Sequence, residues 1–160
     1  IKASDWCESA DSVSLCLSKG LGAPVGSVIA GDEEFLERAR LIRKRLGGWM
    51  RQSGILAAAG LIALREGVER LALDHDLAQQ LAQRLGEVDG LITDPASVDT
   101  NIVMVGVERE GWSAPRLAEA LGERGVGVMP MGPNLRFVTH LGVGPEDVDH
   151  LVTSVEDLLQ

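Results

Sequence analysis

Cysteine is scarce in this chain. Among 160 residues only Cys7 and Cys16 occur, with no paired CxxC motifs, so neither a disulfide scaffold nor a zinc site is indicated. A reducing cytoplasm is the simplest compartment. Clustered positive charge is also missing. The formal net charge of −9 argues against nucleic acid and anionic membrane, since both select for grouped Lys and Arg. Long apolar runs are lacking as well: Gly54 to Leu64, the longest, is too short to cross a bilayer and reads as a buried helix. The chain opens at Ile1 without an initiator Met or a signal-peptide pattern. So abrupt a start suggests a piece of a longer protein. Internal repeats and low-complexity tracts are absent.

The residues present are those of an ordinary globular protein, 45% hydrophobic and 24% charged. Val13–Leu17 and Val25–Ala30 read as strands separated by glycines. Asp32 is placed to cap a helix with Glu33 and Glu34 in its first turn and Arg43, Lys44 and Arg45 in its last, the charge order that suits the helix dipole. Phe35, Ala39, Ile42 and Leu46 give it an apolar stripe, and Gly47-Gly48 stops it. A mostly apolar helix is predicted over 53–65. A third, amphipathic helix is predicted from about Val68 to Leu85.

Turn residues fill 89–100, which sets a predicted boundary between residues 1–92 and 93–160. Beyond it come a strand over Asn101–Val107, a helix over Ser113–Arg124, short strands at Val126–Met129 and Leu135–Thr139, and a last helix from Pro145. This β-α-β-β-α order predicts a small sheet with helices on one face.

One loop carries chemistry. Ser18-Lys-Gly-Leu-Gly-Ala-Pro-Val-Gly-Ser27 sets a single lysine among three glycines and a proline. Arginine fills 12 of the 15 basic positions, the exceptions being Lys2, Lys19 and Lys44. A lysine amine loses its charge when desolvated and then acts as a nucleophile, which arginine cannot do. The glycines are unlike a dinucleotide fingerprint, because Pro24 and the following strand replace the required helix. From spacing alone, a tight strand-to-strand turn with an exposed lysine stands beside the nucleophile reading.

The segment Ser18–Ser27 closely resembles the Schiff-base lysine segment of low-specificity L-threonine aldolases, which are fold type I pyridoxal-phosphate (PLP) enzymes. The similarity continues in register through Arg43-Lys44, Gly47-Gly-Trp-Met-Arg-Gln-Ser-Gly-Ile-Leu-Ala-Ala-Ala-Gly60, Asp74-His75, Asp99-Thr-Asn-Ile102 and Arg136-Phe-Val-Thr-His140.

The resemblance implies an α/β chain. Residues 1–92 would be the C-terminal portion of the aspartate-aminotransferase-like PLP-binding large domain, and 93–160 a small α+β C-terminal domain. It implies that Lys19 bonds covalently to PLP, that Lys44 and Arg51 lie beside the cofactor phosphate of a neighbouring subunit, and that Arg136 clamps the substrate carboxylate. By pattern alone Arg136 is equally a solvent-facing strand residue, and Lys44 and Arg51 a solvated charge cluster. The implied reaction is cleavage of L-threonine, L-allo-threonine or a related β-hydroxy amino acid to glycine and an aldehyde. The implied assembly is a homo-oligomer, a dimer of dimers with shared active sites. Other PLP lyase chemistry by β-elimination, and a non-catalytic dimerisation module, are the alternatives. The ring-stacking histidine, the aspartate at the pyridine nitrogen and the phosphate loop of this family belong to the other half of the subunit. The 160 residues alone are therefore expected to be inactive. His75 reads as a packing residue and His140 as a turn residue.

Overall fold

The structure, a computed structural model, describes residues 2–160. Its chain divides into two compact units, one running to Glu69 and the other covering Arg70–Gln160.

In the first unit a short helix α1 (Ala3–Cys7) precedes strands β1 (Ser12–Cys16) and β2 (Ser27–Gly31). These pair antiparallel, with Leu15 opposite Val28 and Cys16 opposite Ser27. Both strands sit slightly off their predicted spans. Leu17 leaves the ladder to hold the loop: its N–H donates to the Gly26 carbonyl, and its own carbonyl accepts from Ala23 N–H, both at 2.9 Å. Helix α2 (Glu33–Arg45) follows, and the Asp32 carboxylate accepts from Phe35 N–H at 2.7 Å as its N-cap. At the other end Gly47 takes φ +81°. Gly48 N–H then donates to the Arg43 carbonyl at 2.8 Å, the Schellman closure that a left-handed glycine permits.

Helix α3 (Gly54–Ile62) continues directly into a π-helical turn, Ala63–Gly67. The expectation of a buried apolar helix is corrected here. Gly60, Ala63 and Gly67 are buried, whereas Ile55 is 78% exposed and Leu61 and Ile62 are also exposed. The fully buried positions are all small residues, Leu56 is half-buried, and the other large apolar side chains stay exposed. The stripe on α2 fares similarly, with Phe35, Ile42 and Leu46 exposed along an open groove shared with Ile29.

The second unit contains nearly all of α4 (Val68–Gly86), strands β3 (Leu91–Ile92), β4 (Ile102–Val107), β5 (Met129–Met131) and β6 (Asn134–Val138), and helices α5 (Ala114–Glu123) and α6 (Pro145–Leu159). The sheet is antiparallel in the order β3-β4-β6-β5. Leu81 and Leu85 of α4, Leu117 and Leu121 of α5 and Val155 of α6 meet Val103, Val105 and Leu135 of the sheet in one core, each at most 2% exposed. Burying a Leu or Val side chain contributes about 1.5–3 kcal/mol each, so this cluster is what holds the unit together. The predicted β-α-β-β-α order holds, with β3 added ahead of it. The strand predicted at Val126–Met129 instead starts at Met129. Gly125 turns the chain at φ +82°, and pairing with β6 begins only at Met129; Pro130 is tolerated because β5 is an edge strand.

Candidate active site

Lys19 lies in the loop joining β1 to β2. Its carbonyl accepts from Gly22 N–H at 2.8 Å, and Gly22 takes φ +74° to make that turn. The loop is a built structure: Leu17 and Ala23 are each 7% exposed and pack with Leu21 on Ala63. Gly60 and Gly67 complete the seat. A Cβ at 60 would stand 3.1 Å from Leu17 Cδ1, and one at 67 would stand 3.0 Å from the Leu21 carbonyl oxygen. Residues 60, 63 and 67 share a helix face, so a stripe of small residues admits the lysine loop close to the backbone.

The lysine itself is exposed. Of the two readings the sequence left open, a desolvated amine and an exposed lysine in a tight turn, the structure has the exposed one: Leu17, Leu21 and Ala23 turn inward onto Ala63, while Pro24 and Val25 stay exposed beside the amine. Cys16 is half-buried, its Sγ 3.5 Å from the Ser18 hydroxyl. Hydrogen bonding from the Ser18 side chain and backbone holds the Cys16 thiol below its ordinary range, with smaller help from Ser27 and the Lys19 charge and with partial burial opposing.

Lys44 is in the last turn of α2, its Nζ 5.3 Å from the centre of the Trp49 ring; Arg43 Cζ is also 5.3 Å from that ring. Cation–π contacts of this kind are worth about 0.5–1 kcal/mol at exposed sites. Arg51 begins an exposed turn before α3, next to Gln52 at φ +52°. Lys44 and Arg51 are both exposed. They thus bracket the Trp49 loop.

Arg136 occupies the middle of β6. Leu135 and Phe137 are 0% and 4% exposed, whereas Arg136 is half-buried, so alternation sends it to the sheet face opposite the helices. Its cross-strand neighbours are Met104 on β4 and Met129 on β5, both exposed. A guanidinium between two thioethers on an open sheet face can take a carboxylate bidentately. Lys19, Lys44 and Arg51 belong to the first unit and Arg136 to the second.

The chemistry of these side chains fits PLP. An exposed primary amine on a braced loop suits an aldehyde, and exposed cations suit a phosphate dianion. Around Gly26, at φ +111°, no atom lies within 4 Å of where a Cβ would be, so the loop leaves room for a planar ring.

Sequence reading missed two features. One is the stripe of Gly60, Ala63 and Gly67, whose signal was their recurrence at helical spacing. The other is a buried polar node: Asp74 is 1% exposed and takes both Arg70 guanidinium nitrogens, at 2.7 and 2.9 Å, while its carbonyl accepts from the Thr139 hydroxyl. A helical Arg-x-x-x-Asp pair signalled the first part of it. His140 does close a turn, its Nδ1 accepting from Gly142 N–H at 3.1 Å.

A family model described as beta-eliminating lyase matches residues 1–109. The chain belongs to the beta-eliminating lyase family. Within that family its similarity is to low-specificity L-threonine aldolases. It is 43% identical over 153 residues to a probable low-specificity L-threonine aldolase 2 of Arabidopsis thaliana, covering 94% of this chain and 43% of that protein. To the low specificity L-threonine aldolase of Escherichia coli K12 it is 46% identical over 138 residues, 86% of this chain and 40% of that one. A putative L-allo-threonine aldolase of Listeria monocytogenes shares its fold at a TM-score of 0.72 and 22% identity, over 98% of this chain and 47% of that one. The α/β arrangement is that of fold type I PLP enzymes over part of their length. The chain spans about 40% of the length of the curated relatives it matches. Among the described residues, no helix is long and apolar enough to cross a membrane.

Proposed function

We propose that this chain supplies the cofactor lysine and the carboxylate clamp of a longer PLP-dependent lyase. That enzyme would split L-threonine, L-allo-threonine and related β-hydroxy amino acids into glycine and an aldehyde. One observation supports it above the others: the only lysine between β1 and β2 is exposed on a loop that Leu17, Ala23 and the small residues of α3 brace.

Lys19 Nζ would hold PLP through the cofactor's aldehyde group. Lys44 and Arg51 offer the charge that a phosphate needs, and Arg136 holds and orients the substrate carboxylate, which fixes the bonds at Cα relative to the ring. When bound, PLP supplies the electron sink for the carbanion left at Cα. The base that removes the hydroxyl proton is assigned to no residue of this chain.

The assembly proposed is a homo-oligomer with active sites shared between subunits, in a reducing cytoplasm. Exposed apolar side chains on α2 and α3 support the first part, and two free cysteines the second. The family description favours β-elimination as the second reading.

Reducing the full-length protein with borohydride in the presence of PLP, then mapping the label, tests the lysine. Label on any residue other than Lys19 overturns the assignment. Assays with threonine, allo-threonine and phenylserine test the reaction: glycine with an aldehyde is the expected product pair, and pyruvate or ammonia from serine would establish β-elimination instead.

A further inference from the structure

Three separated segments, at Asp74, Asn101 and Thr139, converge on one point three residues beyond Arg136 along the chain. Thr139, 2% exposed, directs its hydroxyl to the Asp74 carbonyl at 2.6 Å. Its backbone N–H donates to the Asn101 carbonyl at 3.0 Å, and the Asn101 side-chain amide donates to the Thr139 carbonyl at 2.7 Å. Asp74 is held by the two-point Arg70 pair. On the same helix, Gln79 Nε2 donates to the Val98 and Pro95 carbonyls at 2.6 and 3.1 Å and so fixes the segment leading into Asn101.

We infer that Thr139 and Asn101 are positioning residues that fix where Arg136 stands along the open face of the sheet, a role that rests on Arg136 being the carboxylate clamp. Side chains alternate along β6 and into Thr139, with Leu135, Phe137 and Thr139 toward the helices and Arg136 away from them. A shift of one residue in the β4–β6 pairing would turn Arg136 into the core and Leu135 out of it, and apolar packing by itself excludes that. A shift of two residues keeps every side chain on its own face and moves Arg136 by about 7 Å along the sheet. Apolar packing opposes this shift weakly, because one aliphatic side chain replaces another at small cost. A buried hydroxyl and a buried helix carbonyl discriminate sharply, since either left unpaired carries its whole desolvation penalty. The node lies just beyond the last ladder pair, Ile102 with Val138, where it sets the register of the strand that carries the guanidinium. It touches neither substrate nor cofactor.

The test uses the full-length PLP-loaded enzyme and compares Thr139→Val, Thr139→Ser and Arg136→Lys. Thr139→Val keeps the shape and removes the donor. It is expected to raise the threonine KM and the glycine Kd, read from the cofactor absorbance, about three- to tenfold, the scale of one net hydrogen bond. Its thermal midpoint should fall too, because the Asp74 carbonyl loses a partner, whereas kcat should change far less, and Thr139→Ser should restore KM and Kd. A lowered midpoint with KM and glycine Kd unmoved overturns the inference and makes the node purely structural. Should Thr139→Val not fold, Asn101→Ala carries the same expectation, and unchanged glycine affinity in that variant overturns it equally. Arg136→Lys separates the two levels. If it leaves glycine affinity unchanged, the clamp itself fails; if it weakens glycine while Thr139→Val does not, only the positioning role fails.

Discussion

Gly67 and Leu21 touch backbone to backbone: a Cβ at 67 would stand 3.0 Å from the Leu21 carbonyl oxygen and 3.4 Å from its Cα. The π-helical turn therefore abuts the loop that carries Lys19, and a larger residue must push that loop away. Gly67→Val is expected to destabilise the protein by about 1–3 kcal/mol, the usual cost of overpacking, and to reduce the fraction of Lys19 labelled by PLP and borohydride. Gly60→Ala should be milder, because its neighbour is the far end of the Leu17 side chain, at 3.1 Å. Thermal melts and labelling yield measure both. Equal effects of the two variants would contradict this seating.

Lys19→Ala should abolish the borohydride-stable adduct. Turnover of the full-length enzyme should fall at least on the order of 10³-fold, the scale of deleting a nucleophile. Lys19→Arg should fail equally, since a guanidinium stays protonated. Steady-state rates and mass spectrometry decide. Activity retained in either variant would remove Lys19 from the chemistry.

Arg136→Lys should weaken substrate binding by about 1.5–3 kcal/mol, the value of hydrogen bonds to a charged group. The two-point geometry that a guanidinium offers a carboxylate is lost in an ammonium. Titration with glycine measures it directly. Met104→Leu, a volume-conserving change beside the guanidinium, should cost little.

The pair between Arg70 and Asp74 is asymmetric, with side chains 22% and 1% exposed. Removing the arginine strands a buried carboxylate, whereas removing the carboxylate leaves an arginine that reaches water. Arg70→Met should therefore cost about 3 kcal/mol, the lower end for breaking a buried pair, and Asp74→Asn distinctly less. Urea unfolding gives both values. The opposite order would show that Arg70 contributes through packing rather than charge.

Cys16 should be alkylated by iodoacetamide with a rate that rises at lower pH than an ordinary thiol's. The thiol's affinity for its proton is lowered chiefly by hydrogen bonding to Ser18, so its thiolate forms earlier as pH increases. Ser18→Ala should move the Cys16 profile to higher pH. Peptide mapping across a pH series reads both, and coincident Cys16 profiles with and without the Ser18 hydroxyl would show that Ser18 has no such effect.

Local rules made much of this fold legible. Asp32 and Gly47 bound α2 because a carboxylate cap and a left-handed glycine act within a few residues of themselves. Leu135, Arg136 and Phe137 show their faces by alternation alone. The lysine loop was legible as a candidate site because its composition is unusual over ten consecutive residues.

Contacts made between distant segments were not legible. Nothing near Thr139 announces a partner 65 positions earlier, nor near Asn101 one 38 positions later. Nothing in the run from Gly54 to Leu64 tells which of its residues find neighbours: apolar character predicts a preference for burial, but only the fold supplies a partner. Small residues face the Lys19 loop while Ile55 and Leu61 stay exposed, and the amine, for which the sequence left two readings open, stands exposed. The sequence by itself determined the caps, the strand parity and which lysine is the candidate amine, since each depends on covalent neighbours or on side-chain chemistry. Tertiary structure alone decided how closely the lysine loop approaches α3 and which buried donor meets which carbonyl, because both depend on distances through space that chain order does not encode.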